Sequence, residues 1–236
     1  MDIAKLVQHE SYGRLSRDCI TGQLSDVKRV IKGEHGYMGG FLTQNSSSEL
    51  SHATMLRVLF GQKNDINQTA DKPVFYDLGC GVGALVAYAA HDKWLGLGAE
   101  FDHPHFKAAQ KNIDDAVRAG LIKEGQARIA YGNFFPEGFK IESGDPDVDI
   151  FRGYLRQGEQ APRINFRDAV GIDVSDVDLF YHFQVELRNN ILRFFAESAK
   201  SGALLAFVPT INDTESLPSR IDYLGSQSLM RFYRKR

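Results

Sequence analysis

Asp77-Leu78-Gly79-Cys80-Gly81-Val82-Gly83 follows the apolar residues VFY (74–76) and leads directly into GALVAYAA (83–90). Alternating glycines between a strand-like and a helix-like run mark a sharp turn whose backbone no side chain covers. The same texture continues toward the carboxyl end. WLGLGAEF (94–101), ARIAYGN (127–133), VDLFYHF (177–183) and ALLAFVP (203–209) are short apolar runs, and amphipathic stretches at 103–119 and 185–200 lie between them. Apolar runs joined by helices predict a mostly parallel sheet covered on both faces. Pro104 opens the first helix, where its missing N–H does no harm, and Phe106, Ala109, Ile113 and Val117 share one face. Leu187, Ile191, Phe194 and Phe195 do the same in the second, with Gly202 placed to end it. Two further strand-like runs, at 221–229 and 230–233, complete the pattern. The expected fold is α/β, a doubly wound, mostly parallel, seven-stranded sheet over residues 73–236.

Two regions stand outside this pattern. Residues 1–72 read as a helical N-terminal extension, with apolar stripes at Ile3, Leu6 and Val7 and at Leu24, Val27, Val30 and Ile31. A loop from Gly33 to Ser48 separates these from a third helical stretch, which holds Leu50, Met55, Leu56, Val58 and Leu59. Residues 134–176 form an insertion whose nine acidic and five basic side chains leave a net charge of −4. Excursions of this length either cover a site or wander over the surface.

Composition narrows the function classes. At 236 residues, 43% hydrophobic and 25% charged, the chain has the proportions of an ordinary globular domain, which excludes wholesale disorder. A net charge of −2 argues against a dedicated nucleic-acid binder. Cys19 and Cys80 cannot build a disulfide framework or a four-thiolate zinc site, so no metal is expected. The opening MDIAKLVQHE lacks the pattern of a signal peptide, and no apolar stretch reaches the roughly 20 residues that cross a bilayer. The expectation is a cytoplasmic, non-membrane protein, of an oligomeric state on which the sequence is silent.

The glycine loop carries the chemistry. Backbone amides at a helix start suit an anion, yet Asp77 stands two residues before the first glycine and would repel a diphosphate. It would attract the ammonium of an amino-acid moiety. Ala84 also occupies the place where a dinucleotide-binding G-x-G-x-x-G has its last glycine. Glu100 ends its run at the carboxyl edge, where open α/β sheets bind ligands, and a carboxylate there can accept from two hydroxyls at once.

The pattern D-x-G-x-G-x-G resembles motif I of the class I, seven-stranded S-adenosylmethionine-dependent methyltransferases, with every marked position filled. The resemblance implies a Rossmann-like fold, S-adenosyl-L-methionine as cofactor and a methyl acceptor as partner. It makes Asp77, Gly79, Cys80, Gly81 and Gly83 the cradle. Glu100 becomes the ribose ligand with Phe101 beside it, and Asn133 and Phe134 the contacts for the adenine edge and ring. Asp178 matches the fourth motif's acid, although a charge at a strand start also explains it. Tyr181 and His182, at the end of DLFYHF, are the candidate catalytic residues beside the acceptor; packing around the cofactor also accounts for the histidine.

A narrower resemblance is to the non-SET lysine methyltransferases of the disruptor-of-telomeric-silencing type. It rests on GYMGGFLTQNSSSELSHATMLRVLF (36–60) followed by the motifs above. It implies that Tyr37 and Thr43 reach the methionine end of the cofactor and that the acceptor is a protein lysine amine. Here Gly39-Gly40 replaces that family's loop glutamate, and Tyr181-His182-Phe183 replaces its Asn-Asn-Phe. No D/N-P-P-Y/F sequence and no cysteine occupies the fourth-strand position of base-methylating enzymes. A small-molecule acceptor, a non-catalytic S-adenosylmethionine-binding module and a nicotinamide-dependent oxidoreductase are the alternatives.

Overall fold

The computed structural model describes residues 72–136, 138–141, 162–183, 188–208, 217–227 and 230–236. The helical reading of 1–72, including Tyr37 and Thr43, lies outside these residues apart from Lys72.

Seven strands form one sheet in the order β3-β2-β1-β6-β7-β9-β8. They are β1 (Val74–Leu78), β2 (Leu95–Glu100), β3 (Ala127–Tyr131), β6 (Leu179–Phe183), β7 (Leu204–Val208), β8 (Ile221–Gln227) and β9 (Met230–Lys235). Pairing is parallel from β3 through to β7, whereas β9 runs antiparallel to both β7 and β8. Every residue of β1 and β7 is buried, as both faces of a central strand require. The chain lays β2 and β3 on one side of β1 and β6 and β7 on the other. The strand order therefore reverses between β1 and β6, and a crevice opens at their carboxyl ends.

Helices α1 (Ala84–His91) and α2 (His103–Arg118) follow β1 and β2. The Asp102 side chain caps α2 by accepting the His105 backbone N–H at 3.1 Å, with proline at the start of the helix as the sequence predicts. Helix α4 (Arg188–Ser198) buries Ile191, Phe194 and Phe195 against the opposite face of the sheet, where they meet Tyr76 and Phe180. Phe75, Trp94, Leu179, Tyr181 and Phe232 form a separate apolar cluster. Among the described residues, no helix is long and apolar enough to cross a membrane.

The insertion is built differently from a surface excursion at both described ends. After Gly132, β4 (Asn133–Pro136) leaves the main sheet and pairs in parallel with β5 (Arg163–Ile164). Helix α3 (Phe166–Val170) follows. Phe135, Phe139, Ile164, Phe166 and Val170 are all buried in the core that α4 covers. The Tyr76 and Phe166 rings meet edge to face at 4.6 Å, and Arg128 on β3 donates to the Val170 carbonyl at the end of α3 at 2.6 Å. The acidic excursion thus starts and ends on packed apolar residues.

Candidate functional site

The loop after β1 turns through three left-handed residues, Gly79 (φ +88°), Gly81 (φ +52°) and Gly83 (φ +78°). An L side chain adopts such angles only under strain. A Cβ at Gly79 or Gly81 would meet nothing within 4 Å, whereas at Gly83 it would press on Ala109 at 3.2 Å. Open backbone at the first two glycines is a cradle at the mouth of the crevice. Gly83 instead lets α1 lie close against α2.

Four of the loop's amides are already engaged. Gly79 and Cys80 both donate to the Ala99 carbonyl, at 3.1 and 2.9 Å, and Gly83 donates to Cys80 at 2.9 Å. The Gly81 N–H donates to Glu100 Oε2 at 2.8 Å. A diphosphate approaching this loop would meet engaged donors and a buried carboxylate rather than an anion nest. This geometry disfavours the nicotinamide-dependent alternative.

Glu100 is 5% exposed and Asp77 3% exposed. Asp77 pairs in register with Gly98, two residues before Glu100, so both carboxylates project from the same face of adjacent strands. Glu100 also accepts from the Asp102 N–H through Oε1 at 2.8 Å. Burial lifts its carboxyl from 4.5 to about 7 against the lowering effect of these amide hydrogen bonds. Burial and then the Glu100 charge push Asp77 well above the usual carboxylate range. The Cys80 thiol is raised by the same burial and by both carboxylates. Among the described residues no basic side chain pairs with either acid. Two adjoining carboxylates with no cation make a site that lacks positive charge.

The third strand's end differs from expectation. Asn133 and Phe134 do not close β3; they open β4, and the Asn133 N–H donates to Pro162 at 3.0 Å. Asn133 Oδ1 accepts from the Phe135 N–H at 3.0 Å in a local turn, which occupies the side chain's acceptor. Phe134 lies beside His182, their ring centres 5.5 Å apart, and its carbonyl accepts from the Tyr76 hydroxyl at 3.3 Å. Phe101, directly after Glu100, is half-buried.

Strand alternation separates the two candidate catalytic residues. His182 projects toward Phe134 and stacks on Phe207 at 5.8 Å, while its neighbour Tyr181 packs with Phe75 in the other apolar cluster. The two side chains therefore lie on opposite faces of the sheet. His182 Nδ1 lies 2.7 Å from the Leu78 carbonyl oxygen, which only accepts, so the Nδ1 hydrogen is donated there. In the neutral ring Nε2 then carries no hydrogen. Asp178 stands at the opposite edge of the sheet. It is 1% exposed, accepts from Val74 N–H at 2.8 Å and pairs with Lys200 at 2.6 Å, a structural clamp at the strand start. The Gly81–Glu100 and Leu78–His182 contacts bridge segments far apart in the chain and have no local signature in the sequence.

No protein-family model and no curated protein sequence matches the chain. Among solved structures it is similar to an RNA methyltransferase from Salinibacter ruber in complex with S-adenosyl-L-homocysteine (19% identity, 76% of this chain and 90% of that one, TM-score 0.41). It is also similar to the magnesium protoporphyrin IX methyltransferase of Synechocystis with bound S-adenosylmethionine (13%, 96% and 97%, TM-score 0.47). A putative methyltransferase from Escherichia coli is a third (15%, 77% and 86%, TM-score 0.44). The strand order, rather than any of these scores, assigns the fold. It is the doubly wound, Rossmann-like fold. The reversal between β1 and β6, with the glycine loop on one side and His182 on the other, sets the candidate site at the switch point of that fold.

Proposed function

We propose that this protein binds S-adenosyl-L-methionine at the carboxyl ends of β1 and β2 and is a methyltransferase. The observation that carries the reading is the buried Asp77–Glu100 pair beside an open glycine cradle whose amides are engaged. That arrangement suits a cationic, hydroxyl-bearing ligand and is unfavourable to a diphosphate. In this reading Glu100 accepts from the ribose hydroxyls and Asp77 attracts the amino-acid ammonium. Gly79 and Gly81 let the ligand lie against the main chain, with Cys80 between them and Gly83 starting α1. Phe101 and Phe134 border the adenine, and the Asn133 amide, its oxygen already engaged, offers N–H donors to the adenine edge. Tyr37 and Thr43 are assigned to the methionine end on the loop resemblance alone.

When bound, S-adenosyl-L-methionine supplies a methyl group activated by its sulfonium. The protein's task is then to align the acceptor, exclude water and take up a proton. His182 is the proposed proton acceptor, because its Nδ1–H bond to Leu78 makes Nε2 the basic nitrogen of the neutral ring. Phe134 and Phe207 hold the ring and lower the local polarity, which favours a neutral amine over an ammonium. Tyr181, on the other face, is proposed as packing beneath Asp77. The proposed acceptor is an amine, and a protein lysine is the form the 36–60 loop favours.

Calorimetry with S-adenosylmethionine, S-adenosylhomocysteine and NAD tests the cofactor, and NAD binding without either of the others would overturn the reading. Methyl-labelled cofactor incubated with cell lysate and the protein then tests catalysis. Label is expected in the protein fraction for a lysine acceptor and in the small-molecule fraction for a small amine. Tight binding with label in neither would identify a non-catalytic module.

A further inference from the structure

The seating of Glu100 has a consequence for how the site fills, and it rests on the cofactor reading above. Each carboxylate oxygen already accepts one backbone N–H, from Gly81 at Oε2 and from Asp102 at Oε1, both at 2.8 Å. An ionised oxygen has about two acceptor positions, so one remains on each. These are the positions that two ribose hydroxyls need. They are also the only places where Glu100 can carry a proton without breaking a hydrogen bond to the loop or to the start of α2.

We propose that cofactor binding is coupled to loss of a proton from the Asp77–Glu100 pair, so that protonated Glu100 closes the ribose position and ionised Glu100 opens it. The O–H bond of the acid breaks, the proton leaves to solvent, and both oxygens then accept from ligand hydroxyls.

The surroundings favour a proton on the empty site. Asp77 on β1 is an acid on the same face, and Asp102 after β2 is a further acid whose charge disfavours ionised Glu100. Asp102 is itself held by His105 of α2, with Nδ1 2.8 Å from its carboxylate. From the loop comes the buried Cys80 thiol. Tyr131 on β3 is the register partner of Glu100, and Tyr181 on β6 is the partner of Asp77. His103 at the start of α2 lies against Tyr131, ring centres 5.3 Å apart. Among the described residues, no lysine or arginine belongs to this group. With the Glu100 carboxyl raised to about 7, the proton is mostly held below that pH and mostly lost above it.

The test is titration calorimetry of the full chain with S-adenosylmethionine from pH 6 to 8.5, in two buffers of different ionisation enthalpy. One linked proton with a midpoint near 7 weakens Kd about tenfold between pH 8 and pH 6. Nearly one proton is released on binding at pH 6 and almost none at pH 8.5. The ligand's α-amino group titrates close by, near 7.7–8.0 by analogy. Its protonation strengthens attraction to Asp77 as pH falls, so it acts with the opposite sign. Glu100→Gln is expected to bind more weakly with a flat profile. Equal Kd across the range with equal enthalpies in both buffers would overturn the coupling while leaving the cofactor reading intact. Absence of binding at every pH would instead overturn the cofactor reading.

Discussion

His182 donates from Nδ1 to the Leu78 carbonyl oxygen at 2.7 Å, tying the carboxyl end of β6 to the residue before the glycine loop. This bond fixes which ring nitrogen can act as a base. His182→Asn keeps an N–H donor for Leu78 but has no titrating nitrogen. With the proposed amine acceptor, kcat is expected to fall by about 10²–10⁴-fold, with Kd for the cofactor within threefold of the parent. The pH profile of kcat should lose its acid limb at the same time. A variant with unchanged kcat would limit His182 to packing between Phe134 and Phe207.

Gly79 and Gly138 form a matched pair for the cradle. Both have left-handed φ, +88° and +87°, and a Cβ at either meets nothing within 4 Å. Alanine at either position is expected to cost about 1 kcal/mol in stability through backbone strain. Only Gly79→Ala places a methyl group where the ligand would lie. It should weaken S-adenosylmethionine binding at least tenfold in calorimetry, and Gly138→Ala should leave it unchanged. Equal affinities in the two variants would remove the glycine loop from the site.

The parts of this fold that the sequence made legible are those whose signals are local. The glycines after β1, Asp102 and Pro104 at the start of α2 and the buried runs of β1 and β7 each declare themselves within a few residues. Glu100 was legible for the same reason, as a lone acid closing an apolar run. β4 and β5 were not. They are short, they pair across nearly thirty intervening residues, and Gly132 turns the chain out of the main sheet just before Asn133. Asn133 and Phe134 therefore read as the end of a strand when they begin another. The separation of Tyr181 from His182 was implicit in the period of two of any strand, but which face each would occupy depended on the helices covering the sheet. The Gly81–Glu100 hydrogen bond joins loops from two strands and has no sequence signature.

Asp178 and Lys200 lie at the edge of the sheet remote from the crevice, which separates stability from function. Asp178→Ala leaves the buried Val74 N–H without its acceptor and is expected to cost about 1–3 kcal/mol in urea unfolding. Lys200 is one-third exposed but its partner is buried, so Lys200→Ala should also destabilise the fold by leaving the Asp178 carboxylate without this cation. Both variants should bind S-adenosylmethionine as the parent does. Loss of binding in a folded Asp178→Ala protein would return that aspartate to the candidate site.

The buried acid pair also sets the pH dependence of the ligand-free fold. Glu100 holds its proton up to about 7 when folded, against an ordinary value of 4.5. Unfolding between those values therefore releases a proton, and stability falls as pH rises through that window. The full difference is about 3 kcal/mol, of which about 2 kcal/mol lies between pH 5.5 and 8. Asp77, also raised, contributes with the same sign. Urea midpoints of the ligand-free protein are thus expected to decline as pH rises from 5.5 to 7.5. Glu100→Gln, which keeps one of the two acceptors and has no titrating carboxyl, should flatten most of that decline. Midpoints that rise across the same interval would mean that the carboxylate is stabilised in the folded chain. The site would then not lack positive charge, and the argument for a cationic ligand would fail with it.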